Sequence, residues 1–266
     1  MKLFRENIIL ILSLMFLSAN VWSKDVYFYF AQVTDTHIGA EGYYDRLEYA
    51  LRAINYSSLE PKFIAVTGDI TNEVIDDAKN EDMRKSSELF KKSGLPVHFL
   101  PGNHDIKPDR LEPMLKAYKK YFGPVPSKAE YEGVVFLFFY IEPMINNFTI
   151  PGYEPMQWLE NELKAAKGKP VVIFQHNPFS GDFYNNTLHA VGSAELREQW
   201  TKLLNSYDVK AVITGHFHRD ELHWVGNVPL YVSAPVIGHW GRQNTYRVYE
   251  YNNGKIGYRT QYLEMK

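Results

Sequence analysis

Five apolar runs in this chain each end in a polar turn that carries potential metal ligands, and this pattern constrains the fold more than any other. The turns are Asp35-Thr36-His37, Gly68-Asp69, Gly102-Asn103-His104-Asp105, Gln175-His176-Asn177 and Gly215-His216-Phe217-His218. Runs such as Phe63–Thr67 are typical of strands buried on both faces. Because open α/β sheets place ligands at the carboxyl ends of their strands, the five turns are predicted to form one site.

The segments between these turns predict an α/β fold. Leu47, Ala50, Leu51 and Ile54 recur at the spacing of an amphipathic helix. Further helices are predicted over Ala78–Lys92, Leu111–Phe122, Met156–Lys167 and Ala194–Leu204. Alternating strands and helices indicate parallel βαβ units, whereas the tail from His223 is expected to add three or four strands as a mostly antiparallel second sheet. Two packed sheets flanked by helices are the expected architecture.

Composition limits the number of domains and the kinds of partner. The chain has 266 residues, 45% of them hydrophobic, and a formal net charge of −2. This length and apolar content suit one domain over residues 24–266, with a core of ordinary size. Because no excess of basic residues is present, a nucleic acid polymer is not an expected partner.

Residues 1–23 are predicted to be a signal peptide. Lys2 and Arg5 precede a short apolar run, Ile8–Leu17, and Val21-Trp22-Ser23 offers a cleavage site before Lys24. The run is shorter than the roughly 20 residues that span a membrane. We therefore expect an exported protein, periplasmic or secreted, with no stable membrane span after cleavage. An uncleaved anchor is the open alternative.

The five turns supply too many ligands for one metal ion. The candidates are Asp35, His37, Asp69, Asn103, His176, His216 and His218. Shared through one bridging carboxylate, they suit two divalent ions roughly 3.5–4 Å apart. Mixed histidine and carboxylate ligands favour Mn, Fe or Zn. Four positive charges on the ions exceed the two carboxylate charges, and an excess remains after a bridging hydroxide, so an anionic phosphate ester is the expected substrate.

The order of these motifs resembles the calcineurin-like metallophosphoesterase superfamily over roughly residues 26–220. Its pattern is D-x-H, G-D, G-N-H-[DE], a lone His and G-H-x-H, and all five parts are matched in order. The resemblance implies a four-layer α/β/β/α sandwich of two mixed sheets. It also implies one ion held by Asp35, His37 and His218, a second held by Asn103, His176 and His216, and Asp69 shared between them.

The resemblance also implies a mechanism. A metal-bridging hydroxide would attack phosphorus in line, and His104 would face the leaving oxygen as proton donor or charge stabiliser. Asp105 would orient the ring of His104. Purple acid phosphatases are a poorer likeness, because their iron-binding Tyr is replaced here by Asn72, and a stable ferric site is not expected.

Two branches of the superfamily share further segments with this chain. Gln175–Phe179 and Val232–Gly238 resemble both the class III cyclic-nucleotide phosphodiesterases and the small phosphatases named for a calcineurin-like domain. Gly241-Arg242 strengthens the second likeness. The alternatives of monoester and diester hydrolysis stay open, as does the substrate, whether a small molecule or a phosphoprotein. A non-catalytic binding module of the same fold should lack a ligand or the proton donor, and this chain lacks neither.

The sequence gives less specific signals for the roles of the other histidines and of several loop residues. His98 and His223 are expected in strands, whereas His189 and His239 are expected in loops that border the site without binding metal. Four further residues are either substrate contacts or ordinary surface residues, and the sequence leaves both interpretations open. They are Tyr43, Tyr44, Arg46 and Arg242.

The signal peptide yields a direct prediction. Material purified from the native host should begin near Lys24, because the charged start, short apolar run and small residues before Lys24 meet the requirements for export and cleavage. N-terminal sequencing is the measurement. An intact Met1 in a cytosolic fraction would contradict the prediction.

Overall fold

The computed structural model describes residues 25–39, 42–72, 77–185, 187–239 and 242–264. The predicted signal peptide, residues 1–23, lies outside these ranges. No helix within them combines the length and apolar character that a membrane crossing requires.

Eleven strands and six α-helices are present in the described ranges. The strands are β1 (Tyr27–Val33), β2 (Ile64–Thr67), β3 (Val97–Leu100), β4 (Ser127–Tyr131), β5 (Val134–Phe138), β6 (Val171–Phe174), β7 (Val209–Thr214), β8 (Glu221–Val225), β9 (Val228–Val232), β10 (Asn244–Asn252) and β11 (Lys255–Leu263). The helices are α1 (Tyr43–Asn55), α2 (Asp77–Lys91), α3 (Leu111–Phe122), α4 (Glu142–Ile145), α5 (Pro155–Ala165) and α6 (Ala194–Asn205), with a 3-10 turn at Pro108–Arg110.

The strands form two mixed sheets. The first has the order β11-β10-β1-β2-β3, in which β1, β2 and β3 are parallel and β10 and β11 are antiparallel. The second has the order β4-β5-β6-β7-β9-β8, in which the four central strands are parallel and both edge strands are antiparallel. The expectation of two mixed sheets is confirmed.

Helices cover the outer face of each sheet, and aromatic residues fill the space between the sheets. Helices α1, α2 and α3 share a hydrophobic cluster with the first sheet, and α5 and α6 share another with the second. Between the sheets, Phe136 packs edge-on to Phe30 at 5.4 Å and to Phe63 at 4.8 Å between ring centroids. Such edge-to-face contacts add to the stabilisation from burial. The four-layer α/β/β/α sandwich is therefore confirmed.

The tail differs from its prediction as a separate second sheet. Its four strands divide between the two sheets: β8 and β9 extend the second sheet, and β10 and β11 extend the first. The reason is that β1 and β7 each leave one edge unpaired by the preceding chain. Phe30 in β1 pairs with Tyr249, and Val212 in β7 pairs with Leu230. Each tail hairpin thus satisfies the backbone groups of one exposed edge.

Most predicted helices begin and end within two residues of their observed bounds, because their apolar spacing and glycine stops are strong signals. Two short elements were missed. Ser127–Tyr131 carries alternating polar residues with little strand propensity and is a strand because it pairs with β5. The second is helix α4, which begins at Glu142 shortly after β5 ends at Phe138.

Candidate metal centre

The five turns meet at the carboxyl ends of β1, β2, β3, β6 and β7, so strands from both sheets contribute to one cluster. Asp35, His37, Asp69 and His218 place potential ligand atoms within 4.8 Å of one another. We call these four residues the first ligand group. A second ligand group is formed by Asp69, His176 and His216 at the same mutual distance, with Asn103 Oδ1 3.1 Å from His176 Nε2. The structure thus brings all seven predicted ligands together.

The turns hold their ligands in an uncommon backbone conformation. Five of the seven adopt positive φ angles between 42° and 73°, a region that side chains other than glycine rarely occupy. These residues are Asp35, His37, Asp69, His216 and His218. Backbone hydrogen bonds between the turns hold this geometry, for example His37 N–H to the Asp69 carbonyl at 2.9 Å. Such strain is concentrated at functional sites.

Two of the motif glycines are required by close approach of the chain. A Cβ atom on Gly102 would collide with the carboxylate of Asp69, and one on Gly215 would collide with Thr34 and Asp35. The glycines therefore allow the loops to reach the two carboxylates.

The first ligand group is arranged around a carboxylate oxygen of Asp35. Asp35 Oδ2 accepts hydrogen bonds from Thr34 Oγ1 at 2.7 Å and from the His216 N–H at 3.1 Å. Asp35 Oδ1 is buried and accepts no hydrogen bond within the described part of the chain. It lies 3.2 Å from His218 Nε2, which itself lies 3.2 Å from His37 Nε2. A buried acceptor facing two imidazole nitrogens fits a bound cation.

Asp69 lies between the two groups. Its Oδ1 accepts a hydrogen bond from the His104 N–H at 2.9 Å, which fixes the carboxylate. Its Oδ2 lies 3.8 Å from His37 Nε2 on one side and 3.2 Å from His176 Nε2 on the other. One oxygen of Asp69 is therefore in reach of both ligand groups.

A backbone carbonyl orients His176 in the second group. Its Nδ1–H donates to the Thr67 carbonyl at 2.8 Å, so Nε2 is directed toward Asp69. The Nδ1 atom of His216 lies 3.2 Å from His176 Nε2. A hydrogen bond on the opposite ring nitrogen is the usual way in which a protein fixes a metal-binding imidazole.

Burial and charge give the ligands suitable protonation states. Burial lowers the pKa of His37 to about 4 and that of His216 to about 3, so both are neutral at pH 7, as metal binding requires. Burial opposes ionisation of Asp69, but His176 and His37 outweigh it and lower the pKa of Asp69 well below its usual range.

His176 differs from the other two imidazoles. Although burial disfavours its charged form, the charge of Asp69 raises the pKa of His176 to about 10. The position beside Asp69 therefore attracts positive charge, and a metal ion bound by Nε2 would displace that proton.

The expectation that Asp105 orients the ring of His104 was wrong. The ring of His104 is held by Asn72, whose carbonyl accepts a hydrogen bond from Nδ1 at 2.7 Å. Asp105 is buried and instead accepts hydrogen bonds from the backbone N–H groups of Ile70, Thr71 and Gly102 at 2.9–3.0 Å. It therefore ties the Gly68-Asp69 turn to the turn that carries His104.

The surroundings of Asp105 disfavour the charged form of its carboxyl group. Burial and the charge of Asp69 raise the pKa of Asp105 to about 6, although its backbone hydrogen bonds oppose this. The sequence could not show whether Asp105 orients His104 or binds backbone N–H groups, because the direction of a side chain after a tight turn depends on the turn itself.

The two loop histidines border the cluster, as expected. The ring of His239 stacks on that of His218 at 4.7 Å, and the ring of His189 lies 5.1 Å from that of His216. The nitrogens of His239 also lie within 4.8 Å of those of His37 and His218. The Nδ1–H of His189 donates to the Asp182 carboxylate at 2.8 Å.

Three further candidates make their hydrogen bonds outside the two ligand groups. His98 and His223 lie in strands, where His98 contacts the Tyr131 hydroxyl at 2.7 Å and His223 contacts Glu221 at 2.7 Å. Tyr44 is directed toward helix α2 and donates to Asp82 at 3.0 Å.

Sequence reasoning missed three groups that organise the site. They are the carbonyls of Thr67 and Asn72, which orient His176 and His104, and the hydroxyl of Thr34, which binds Asp35. Every residue has a carbonyl, so the first two leave no signal in residue type. Thr34 directly precedes Asp35, and this adjacency was the available signal.

Comparison with known proteins identifies the family. The family model described as calcineurin-like phosphoesterase matches residues 28–220. Three relatives have 24–27% identical residues. Mouse serine/threonine-protein phosphatase CPPED1 is 24% identical over 79% of this chain and 75% of its own length. A probable glycerophosphodiester phosphodiesterase GpdQ from Arcobacter nitrofigilis is 27% identical over 71% of each chain.

The third relative is 3',5'-cyclic adenosine monophosphate phosphodiesterase CpdA of Escherichia coli K12, which is 25% identical over 73% of this chain and 71% of its own length. Among solved structures, a dimetal phosphatase from Danio rerio superposes with a TM-score of 0.59 at 15% identity, covering 88% of this chain and 98% of the other. This last likeness concerns the fold alone.

The structural role of Asp105 is testable through stability. Asp105→Asn should lower the free energy of unfolding by about 1–3 kcal/mol, because the amide cannot accept from all three backbone N–H groups. Urea unfolding in the presence of a chelator measures this without a contribution from metal. The control is Asp109→Asn, at an exposed position nearby. Equal stability of the two variants would contradict the bracing role.

Proposed function

The chain belongs to the calcineurin-like phosphoesterase family, and on that premise we propose that it hydrolyses phosphate esters with the help of two divalent metal ions. The observation that carries the proposal is the position of Asp69 Oδ2, which is in reach of His37 Nε2 and His176 Nε2. A single carboxylate oxygen between two sets of histidines is the arrangement that a pair of ions requires.

The residues present fit such a pair. Asp35, His37 and His218 would hold one ion, and Asn103, His176 and His216 the other, with Asp69 contributing to both. The buried and unsatisfied Asp35 Oδ1 supports the first position, and the fixed ring of His176 supports the second. Nitrogen and oxygen ligands in this proportion suit Mn, Fe or Zn. When bound, the ions would supply an activated water and neutralise charge at phosphorus.

His104 is assigned to the leaving group. Its Nδ1–H is engaged by the Asn72 carbonyl, so Nε2 is the nitrogen that remains for a substrate. Its ring stands perpendicular to that of His37 at 5.0 Å, beside the first ligand group without belonging to either group. From this position His104 holds a proton that can pass to the departing ester oxygen.

The relatives favour two kinds of ester. One relative is named a serine/threonine-protein phosphatase and two are named phosphodiesterases. We propose monoester hydrolysis as the leading activity, on the likeness to the phosphatase over 79% of this chain. Diester hydrolysis, including that of cyclic nucleotides, is the alternative. The presence of all seven candidate ligands and of His104 argues against a non-catalytic binding module.

We also propose that the protein acts outside the cytoplasm as one domain over residues 24–266. The charged start and the short apolar run that precede Lys24 support export. The aromatic cluster shared by both sheets supports a single folding unit.

The role of His104 can be tested with two leaving groups. An alkoxide is a strong base and needs a proton, whereas nitrophenolate departs readily as an anion. His104→Ala should therefore lose roughly 10²–10⁴-fold in kcat on an alkyl phosphate and clearly less on 4-nitrophenyl phosphate, with its metal content unchanged. Steady-state kinetics and elemental analysis provide both measurements.

A ligand variant is the comparison. His176→Ala should damage activity on both esters, because metal binding fails. Equal losses on both esters for His104→Ala, with metals retained, would show charge stabilisation in place of proton donation. Loss of metal in that variant would make His104 a ligand.

A further inference from the structure

Two arginines are fixed beside the first ligand group by backbone carbonyls. Arg242 Nη1 donates to the carbonyl of His218 at 2.6 Å. Arg46, in helix α1, donates through Nη1 to the carbonyl of Ile237 in the loop that leads to His239. Both guanidinium groups are thereby attached to segments that border the cluster.

His239 and Tyr43 connect Arg46 to the ligand group through a continuous series of contacts. The ring of His239 stacks on that of His218 at 4.7 Å, with 10° between the ring planes. Tyr43 stands edge-on to His239 at 6.0 Å, and the guanidinium carbon of Arg46 lies 5.2 Å from the centre of the Tyr43 ring. We call Arg46, His239 and Arg242 the basic rim.

The charge of Arg46 has no counter-charge in the described part of the chain. No carboxylate of the described residues forms an ion pair with it, and only its Nη1 donates a hydrogen bond there. A guanidinium carries five N–H donors in a fork that matches phosphate and carboxylate oxygens. Arg46 is half-buried and its Nη1 is held by the Ile237 carbonyl, so ordering its other donors on a bound anion costs less side-chain entropy than for a free surface arginine.

Among the described residues, Arg46 makes no direct contact with the first ligand group, because its side-chain contacts are with the Ile237 carbonyl and the Tyr43 ring. Arg46 is separated from His218 by the rings of His239 and Tyr43. An anion that contacts Arg46 is therefore assigned to another part of the substrate than the ester under attack. An uncharged substrate tail would leave the arginine without a partner.

We propose that the basic rim binds a second anionic group of the substrate, a phosphate or a carboxylate, beside the ester that is hydrolysed. The inference rests on the proposed phosphoesterase function and narrows it to substrates with two separated anions. Arg46 makes the charge-assisted hydrogen bonds, Tyr43 holds its guanidinium in place, and Arg242 adds positive charge near His218.

The test measures binding of matched phosphonate analogues by calorimetry with the metal-loaded protein. The first pair is a phosphotyrosine-phosphonate peptide with either Glu or Gln at the neighbouring position. The second pair is a nucleoside 5'-phosphonate with or without a 3'-phosphate. The two pairs distinguish an acidic peptide from a small doubly anionic molecule as the source of the second anion.

The wild type should bind the doubly anionic member of at least one pair about tenfold more tightly, the size expected of one charge-assisted hydrogen-bonded contact. This preference should fall to within about twofold in Arg46→Gln, should be partly kept in Arg46→Lys, and should weaken with added salt. The matched control is Arg52→Gln, an exposed position further along the same helix, which should keep the full preference.

Hydrolysis of 4-nitrophenyl phosphate and bis(4-nitrophenyl) phosphate by the wild type is measured in parallel. If the wild type hydrolyses these esters but binds both members of each phosphonate pair equally tightly, the inference is overturned and the proposed function stands. A preference that survives in Arg46→Gln would also overturn it. Absence of hydrolysis and of phosphonate binding would overturn the proposed function itself.

Discussion

The structure depends on one buried carboxylate, Asp69, that lies between two sets of histidines. An isolated buried charge would be very costly, and Asp69 is tolerated because His176 and His37 face one of its oxygens while the His104 N–H binds the other. This arrangement concentrates negative charge where the imidazoles of His37 and His176 converge. The position beside Asp69 therefore attracts positive charge, either a proton on His176 or a cation in its place, and the surrounding groups could hold a metal ion.

The fold meets this constraint by bringing strand ends of two sheets together. The turns after β1, β2 and β3 come from one sheet and those after β6 and β7 from the other, and the aromatic layer between the sheets sets their spacing. Positive φ angles at the ligands are the local cost of such tight turns. Gly102 and Gly215 allow the approach, and Asp105 braces it through three backbone N–H groups.

Much of this could be predicted from residue types, because the ligands follow apolar runs at strand ends and because parallel strands share one edge. The clustering of the seven candidate ligands and the two sheets flanked by helices could be predicted in this way. The partners of the tail strands were not, since pairing depends on which sheet edges remain open. The role of Asp105 and the carbonyls that orient His104 and His176 were also hidden, because they depend on turn geometry and on backbone atoms that every residue carries.

Metal content measures most directly whether two metal ions share Asp69. The wild type, Asp69→Asn and His37→Ala should be loaded with Mn or Zn, freed of excess metal and analysed for metal per chain. We expect close to two ions in the wild type, about one in His37→Ala, and weakened binding at both positions in Asp69→Asn. A wild type that saturates at one ion with full activity would contradict it.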